Sequence, residues 1–455
     1  MKRWIALFLM LVVALQAMSL TACTLAQNTT GNQTCCNCCQ CKQDGTDETP
    51  DGSGNNNNNT TNNGVIVQNP GKYDAFELSA DKLRSALSGA LIKINKMMLT
   101  FDADSFPDHN STNNVYPAVA NTSGWNQGFY TGMLWHAYEL TGDDIYLEAA
   151  TAQLDSYENR IEKKLGTNTH DLGFLYTPSC VAAYKVTGSE EAKQIALQAA
   201  DQLLTRYHEK GQFIQAWGTM GATDNYRLIV DCLMNIPLLF WASEETGDLK
   251  YRTVAYNHFN TTVNNAFRSD GSTFHTFFFD PATGDPVRGA THQGVSDDST
   301  WSRGQAWSMY GSILAYTYTK DEKALEAFCD TADYFLNYLP SDYVPYWDLS
   351  FGEGSYQPKD SSAAAIAVCA LLEGIKHMDE EDPQRAKFEN AAKRIMNSLI
   401  DHYTTRTVRE ANGLLLHGCY NVGSNRGVDE MNIWGDYFYM EALNRMLNPD
   451  WEIYW

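Results

Sequence analysis

Residues 289–310, GATHQGVSDDSTWSRGQAWSMY, gather side chains able to handle an anionic ring. Gly289, Gly294 and the Asp297–Asp298–Ser299–Thr300 cluster supply turn and N-cap chemistry, and a helix follows through Trp301, Arg303 and Trp307. Arg303 and Trp307 stand four apart, so they share one helix face and reach a single partner together. With His292 and Gln293 beside the helix start, such a group can hold a carboxylate on one side and a flat ring on the other. That is the pattern of a uronic-acid site. The same residues also describe an N-capped helix with a buried Trp and a surface Arg.

Two carboxylates are candidates for acid–base work. In DNYRLIVDCLMNIPLLFWASEE, read as a helix over about 225–245, Arg227, Asp231 and Asn235 form a polar stripe at i, i+4 and i+8 on an apolar element. Either Arg227 and Asp231 satisfy each other in the core, or Asp231 is a general acid whose pKa burial raises, oriented by Arg227 or Asn235. Asp171, in THDLGFLYTPS, stands where a helix begins, and spacing alone favours an N-cap there. Trp125 in SGWNQG and Trp217 in QAWGTMG precede helices, where exposed indoles beside Asn126 and Gln127 suit sugar stacking; core packing is the ordinary alternative. Lys359, ahead of a helix, is either a contact for a sulfate or an unremarkable surface lysine.

These residues must be positioned by helices. Periodicity and capping predict twelve, at about 76–101, 125–141, 144–164, 172–186, 189–208, 225–245, 248–267, 301–319, 321–339, 360–378, 383–404 and 429–447. Thr141–Gly142–Asp143, Thr187–Gly188–Ser189 and Thr246–Gly247–Asp248 each end one helix and cap the next, with Thr319–Lys320–Asp321 a degenerate fourth copy. Helical hairpins that cannot bury their apolar faces alone must pack on neighbours. Six hairpins with long, variable connections point to an all-α fold, an (α/α)6 toroid whose loops gather at one rim. The longest connection, about 268–300, holds a β-hairpin lip, Ser272–Phe279 returning through Pro286–Thr291, with His275 on one arm.

The N-terminus reads differently. Lys2 and Arg3, an apolar run from Ile5 to Ala17 and Leu20–Thr21–Ala22–Cys23 form a secretory signal of lipoprotein type over residues 1–22, with Cys23 lipidated. The run is too short for a permanent span. Residues 23–73 are expected to be a Cys-rich and Asn/Gly-rich tether to a catalytic domain over 74–455, which places the protein in the periplasm or at the cell surface of a bacterium. Cys35, Cys36, Cys38, Cys39 and Cys41 lie too close together for paired zinc ligands, and a secreted context favours disulfides or modification. Cys180, Cys232, Cys329, Cys369 and Cys419 read as buried thiols, and neither metal nor cofactor is expected. The net charge of −22 becomes −24 without the leader, which excludes a general nucleic-acid binder. An anionic substrate must be held by a few local groups.

Seven segments taken together, WSRGQAWSMYG, THDLGFLYTPS, YRLIVDCLMNIPLLFWAS, FHTFFFDPATGDP, THQGVSDDSTW, PYWDLSFGEGSYQPKDSSAAAIA and IWGDYFYMEAL, resemble the unsaturated glucuronyl hydrolases of bacteria, glycoside hydrolase family 88. The resemblance runs from about Asp74 to the C-terminus. It implies a six-hairpin toroid acting on oligosaccharides left by polysaccharide lyases, whose non-reducing end is a 4,5-unsaturated uronic acid. It further implies that Asp231 is the acid/base and Asp171 the second essential carboxylate. His275, Gln293, Arg303 and Trp307 would surround the uronate with His292 beside them, and Trp125, Asn126 and Trp217 would meet the sugars. Alternatives in different classes are a hydrolase for unsaturated galacturonic acid from pectin, a polysaccharide lyase, and a non-catalytic glycan-binding lipoprotein.

Overall fold

The computed structural model describes residues 71–455 and the backbone pairing of β1 (Thr60–Thr61) with β2 (Gly64–Val65). The leader, Cys23, the Cys35–Cys41 cluster and nearly all of the tether lie outside the described residues. Among the described residues no helix is long and apolar enough to cross a membrane.

The helices sort into two rings by composition. The outer set is α1 (Ala80–Met98), α3 (Asp144–Ala152), α4 (Leu154–Glu162), α7 (Glu190–Leu204), α9 (Leu249–Ala266), α11 (Glu322–Tyr338) and α13 (Pro383–Ser398). These carry charge on one face and small or apolar residues on the other, as in EKALEAFCDTADYFLNY, where Ala324, Phe328, Ala332 and Phe335 are buried. The inner set is α2 (Gln127–Thr141), α5 (Leu172–Tyr176) with α6 (Ala182–Thr187), α8 (Pro237–Thr246), α10 (Ser302–Thr319), α12 (Ser361–Gly374) and α14 (Ile433–Leu447). These carry fewer charges and are buried along most of their length, as SSAAAIAVCALLEG in α12 is; α14 is the exception in charge, holding buried Asp436, Glu441 and Arg445. Each inner helix packs on the next, and α14 returns to α2, so the ring closes. The expected toroid is therefore the fold. Trp455 fills its centre, fully buried and stacked on Phe438 at 5.8 Å.

All four repeated turns work as their residue types require. Gly142, Gly188, Gly247 and Lys320 adopt φ of 67, 72, 73 and 55°, ending one helix in the left-handed region. Asp143, Ser189, Asp248 and Asp321 then cap the next helix through their side chains, while the preceding Thr hydroxyl accepts from each cap's own N–H.

Small antiparallel sheets edge the helices: β3 (Ser105–Pro107) with β4 (Ala118–Ala120), β5 (Tyr207–His208) with β6 (Phe213–Ile214), and a three-stranded sheet of β7 (Arg227–Ile229), β8 (Thr276–Phe279) and β9 (Pro286–Ala290). A last hairpin joins β10 (Gly418–Asn421) to β11 (Arg426–Glu430).

Several expectations are corrected. The helix read over 225–245 is strand β7, a 3-10 turn over Val230–Met234, and only then α8, which starts at Pro237. The i, i+4, i+8 stripe therefore does not exist. The apolar run is half-buried strand in its first part, where β8 supplies the backbone partners that helix would have supplied internally. Residues 144–164 divide at Gln153, and 172–186 is interrupted by a π turn at Thr177–Val181 containing Pro178, which has no N–H to donate. The start read at 429 is strand β11, and α14 begins at Ile433. The lip is shorter than expected, but its hairpin is present. Of the five scattered cysteines, four are buried free thiols and Cys329 is half-buried.

Helix α5 and the end of the 3-10 turn before α8 approach so closely that a Cβ on Gly173 would lie 2.3 Å from Asn235 Cα and 2.7 Å from its carbonyl oxygen. Gly173→Ala should therefore force backbone movement and cost about 1–3 kcal/mol. Because Gly173 stands two residues from Asp171, activity should fall further than stability alone explains. Gly142→Ala, whose Cβ would meet nothing within 4 Å, should cost only about 1 kcal/mol for its left-handed backbone. Thermal denaturation with parallel activity assays checks the pair; equal behaviour of the two variants would refute the close-packing account.

Candidate active site

A cavity of about 570 Å³ opens at one rim, lined by Trp125, His170, Asp171, Trp217, Asp231, His292, Gln293, Trp301, Arg303, Trp307 and the β10–β11 hairpin from Tyr420 to Arg426. Asp171 and Asp231, sixty residues apart, converge on His170. The His170 ring is 1 % exposed, and its Nε2 lies 3.2 Å from Asp171 Oδ1 and 3.5 Å from Asp231 Oδ1. The two carboxylates keep 14 and 18 % of their surface, enough for a ligand to reach them.

Local structure explains the convergence. Asp171 precedes α5 but makes no side-chain cap to it, so the N-cap reading fails; Thr169 Oγ1 donates to its carboxylate at 2.6 Å instead. Asp231 follows strand β7, and Val230 N–H donates to the His275 carbonyl at 3.0 Å, which ties the acid to the lip. Asn235 accepts from Phe174 N–H at 2.8 Å and donates to the Asp231 carbonyl at 3.2 Å, bridging the two acidic segments. Arg227 is no partner of Asp231: its guanidinium stacks over Trp217 at 4.5 Å and Phe278 at 5.1 Å.

The environments drive the acids apart. Burial pushes the Asp231 carboxyl up to about 6, with the Asp171 charge adding and those of His170 and Arg303 opposing. Burial acts upward on Asp171 too, but the His170 charge and the hydrogen bonds from His170 and Thr169 outweigh it and hold the group below its ordinary value. Burial alone would depress the His170 imidazole, yet the two carboxylates raise it well above the usual histidine range. Asp231 Oδ1 has no hydrogen-bond partner among the described residues. An acid that keeps its proton up to about pH 6 thus faces one that stays a carboxylate to lower pH.

Arg303 is 1 % exposed and already makes four hydrogen bonds: to Asp360 and Gln293 Oε1 at 2.8 Å each, to the Tyr420 carbonyl at 2.8 Å, and to the Cys419 carbonyl. It lies over Trp301 at 4.4 Å and Trp434 at 5.0 Å. The helix it starts is not capped by the 297–300 cluster; Ser302 N–H donates to the Trp347 carbonyl, while Asp297 receives Thr291 N–H.

His275 is buried behind the wall. Its Nδ1 accepts from the His292 and Gln293 N–H groups at 2.9 and 3.1 Å, and burial with nearby positive charge holds it well below the ordinary histidine value. Asn126 is likewise buried outside the cavity lining, its side-chain amide without a partner among the described residues. Trp125 donates to the Tyr420 hydroxyl at 3.3 Å and packs on Trp434 at 4.9 Å; Trp307 packs on Phe174 at 5.1 Å below it. Lys359 is occupied elsewhere, bonded to Asp342 and the Val344 carbonyl at 2.9 Å each, and does not line the cavity.

Sequence reasoning missed His170, Trp301 and the Tyr420–Arg426 hairpin. His170 adjoins Asp171, and a search for a partner to a buried acid would have found it. The turn Val422–Gly423–Ser424–Asn425, between the helices expected over 383–404 and 429–447, carries the signal that could have found the hairpin.

The family model for Glycosyl Hydrolase Family 88 matches residues 99–449. An unsaturated chondroitin disaccharide hydrolase of Streptococcus pneumoniae is 49 % identical over 365 residues, covering 80 % of this chain and 92 % of that protein. A crystal structure of an unsaturated glucuronyl hydrolase from Streptococcus agalactiae superposes with a TM-score of 0.83 at 46 % identity, covering 86 % of this chain and 98 % of that one. A mutant of the same enzyme complexed with dGlcA-GalNAc6S gives 0.77 at 43 % identity, covering 86 and 97 %. Toroid, paired carboxylates and these likenesses agree, and the chain belongs to glycosyl hydrolase family 88.

Proposed function

We propose that this cavity removes a 4,5-unsaturated uronic acid from the non-reducing end of lyase-generated oligosaccharides, of glycosaminoglycan type, by hydrating its vinyl ether. The observation that carries this reading is the pairing of a carboxyl held up to about 6, Asp231, with a depressed one, Asp171, on a floor walled by indoles. Asp231 gives its proton to C4 of the substrate, and the double-bond electrons form that C–H bond as oxocarbenium character develops at C5. Asp171 stabilises that charge or holds a substrate hydroxyl. Water adds at C5 and its surplus proton returns to Asp231. The resulting hemiketal opens by breaking C5–O5, which leaves a ketone at C5 and a hemiacetal at C1. That hemiacetal collapses to the aldehyde and releases the next sugar with its hydroxyl proton, so nothing displaces it directly at the anomeric carbon.

The acid group of the substrate is received by His292 and the free amide nitrogen of Gln293, whose oxygen is committed to Arg303. Arg303 supplies positive potential from behind. His275 aims the 291–293 loop from behind the wall. Trp125, Trp217, Trp301 and Trp307 provide ring faces. Arg426, exposed at the mouth over Tyr420 at 4.7 Å, is a cation for a second, anionic sugar. The ligand dGlcA-GalNAc6S in the streptococcal complex has that composition, an unsaturated uronate followed by a sulfated amino sugar. We further propose that the signal and Cys23 make the protein a lipid-anchored enzyme of the periplasm or cell surface, because a basic end, an apolar run and small residues before Cys form that signal.

Ultraviolet absorbance of chondroitin-lyase disaccharides should fall on incubation with the protein. A gain on intact polymer would instead identify a lyase, and retained affinity without change a binder. Asp231→Asn and Asp171→Asn should each lower turnover roughly 10²–10⁴-fold with unaltered circular dichroism; near-normal rates in either would remove its role. Asp231 must carry its proton, so kcat/KM should fall about tenfold per unit as pH rises through about 6. Asp171 must be ionised, so the acidic limb should lie below the ordinary carboxylate range. Arg303→Ala should destabilise the fold by about 3–5 kcal/mol, because it strands the Asp360 carboxylate, which is fully buried. An unchanged melting temperature would show the ion pair to be dispensable. Cys23→Ser should move the protein from membrane to soluble fractions, and retention in the membrane would exclude the anchor.

A further inference from the structure

The hydrolytic reading assigns work to two carboxyl groups but leaves open what decides which of them holds the proton. One oxygen of each carboxyl group and one ring nitrogen of His170 lie within 4.8 Å of one another. At that spacing two acids in a water-poor site tend to share one proton, and either can carry it. The surroundings of this pair are not symmetric. Asp171 is nearer the imidazole, at 3.2 Å, and also receives the Thr169 hydroxyl at 2.6 Å. Asp231 is farther, at 3.5 Å, and its Oδ1 receives no hydrogen bond among the described residues. The His170 backbone N–H donates to the Ala216 carbonyl at 2.9 Å, its ring lies edge-on to Trp217 at 6.5 Å, and its buried Nδ1 has no hydrogen-bond partner among the described residues.

We propose that His170 is a positioning residue, carried as an imidazolium that pins Asp171 as the carboxylate and leaves the working proton on Asp231. A neutral ring offers one N–H at Nε2, can serve one acid only, and leaves the charge of an ionised pair uncompensated. A cation between them lowers the cost of ionising both, and most for the acid it touches most closely.

No other group in the neighbourhood can take this role. The remaining titratable or charged groups facing the cluster are Cys232, His258, His275, Arg160, Arg206 and Arg303, of which Arg160 is spent on Asn121, Gln127 and the Gly124 and Leu165 carbonyls. Burial pushes the Cys232 thiol up and both histidines down, so these three are uncharged at neutral pH. Arg206 is bonded to Asn168 at 2.5 Å and to the Gln215 carbonyl at 2.9 Å, and Arg303 to its own four acceptors. Both guanidiniums act on the acids from a distance. The depth of His170 opposes its charge, but the two carboxylates beside it outweigh burial and hold its proton on well above the usual histidine range, so the charge persists through the pH range in which Asp231 works.

This inference rests on the hydrolytic reading for its consequence but not for its test. In wild-type protein carrying carbon-13 labelled histidine, the His170 ring should remain doubly protonated at pH 7 and lose its proton only in the alkaline range. The resonance is assigned by its absence in His170→Gln or His170→Asn, whichever folds. A neutral ring at pH 7 overturns the proposal, whether or not the protein consumes an unsaturated disaccharide. The second measurement is the pH profile of kcat/KM for the same variant. Losing the cation raises both carboxyl pKa values, so both limbs should move upward by about one unit or more, with a fall in the maximum of at least tenfold. A uniform loss with both limbs unmoved would mean that the ring only fills space, and would also overturn it. Absence of any activity in the wild-type protein would sink the hydrolytic reading alone, and the ring titration would still decide the charge.

Discussion

The buried pair of Arg303 and Asp360 is the interaction on which the site depends. One carboxylate oxygen of Asp360 accepts the guanidinium at 2.8 Å while the other receives Ser362 N–H and the Ser362 hydroxyl at the start of α12. The remaining arms of Arg303 hold Gln293 and two carbonyls of strand β10. Four segments remote in sequence are thereby fixed to one cation: the lip loop, α10, α12 and the C-terminal hairpin. A buried guanidinium tolerates this position only because every bond is charge-assisted or directed at a carbonyl, and because indoles above and below replace bulk solvent.

That arrangement changes what an arginine in an anion-binding cavity is for. A guanidinium held by four protein acceptors cannot reorient to clamp a ligand, but its field extends into the cavity and is little screened there. Positive potential in this strongly acidic chain is thus local and preformed. His170 between two carboxylates is a second case, with the sign of the neighbours reversed. Both cations are immobile and both act through the groups they touch, so the site is organised before substrate arrives.

The toroid gives these interactions a rigid frame. Its inner helices carry few charges because they meet protein on most sides, with buried ones such as Glu441 and Arg445 paired, and the outer ones are amphipathic because one face meets water. Loops at the rim are then free to vary in length, and the three-stranded lip and the β10–β11 hairpin use that freedom to bring His292, Gln293 and Arg426 over the floor. The floor itself is built from close approaches, such as Gly173 against Asn235, which set the spacing of the two acidic segments.

What the amino-acid sequence determined by itself was whatever is encoded locally. The Thr-Gly-Asp turns declare their caps, apolar faces that no hairpin buries alone require stacking, and the long connections between hairpins pointed to closure. Asp231, Trp217, His292, Gln293 and Arg303 were legible as candidates from residue type and position, whereas for Asp171 the spacing favoured an N-cap and the family resemblance supplied the catalytic role. Pairing across the chain was not legible. Residues 225–236 look helical until β8 supplies backbone partners, and only that strand turns Arg227 away from Asp231 and onto Trp217. Only the folded chain showed that His275 and Asn126 stand behind the wall, that Lys359 is spent on Asp342, and that His170 divides the acids. Each of these depends on contacts between residues far apart in sequence, and a periodicity or a cap, which reports a few neighbouring positions, carries no information about them.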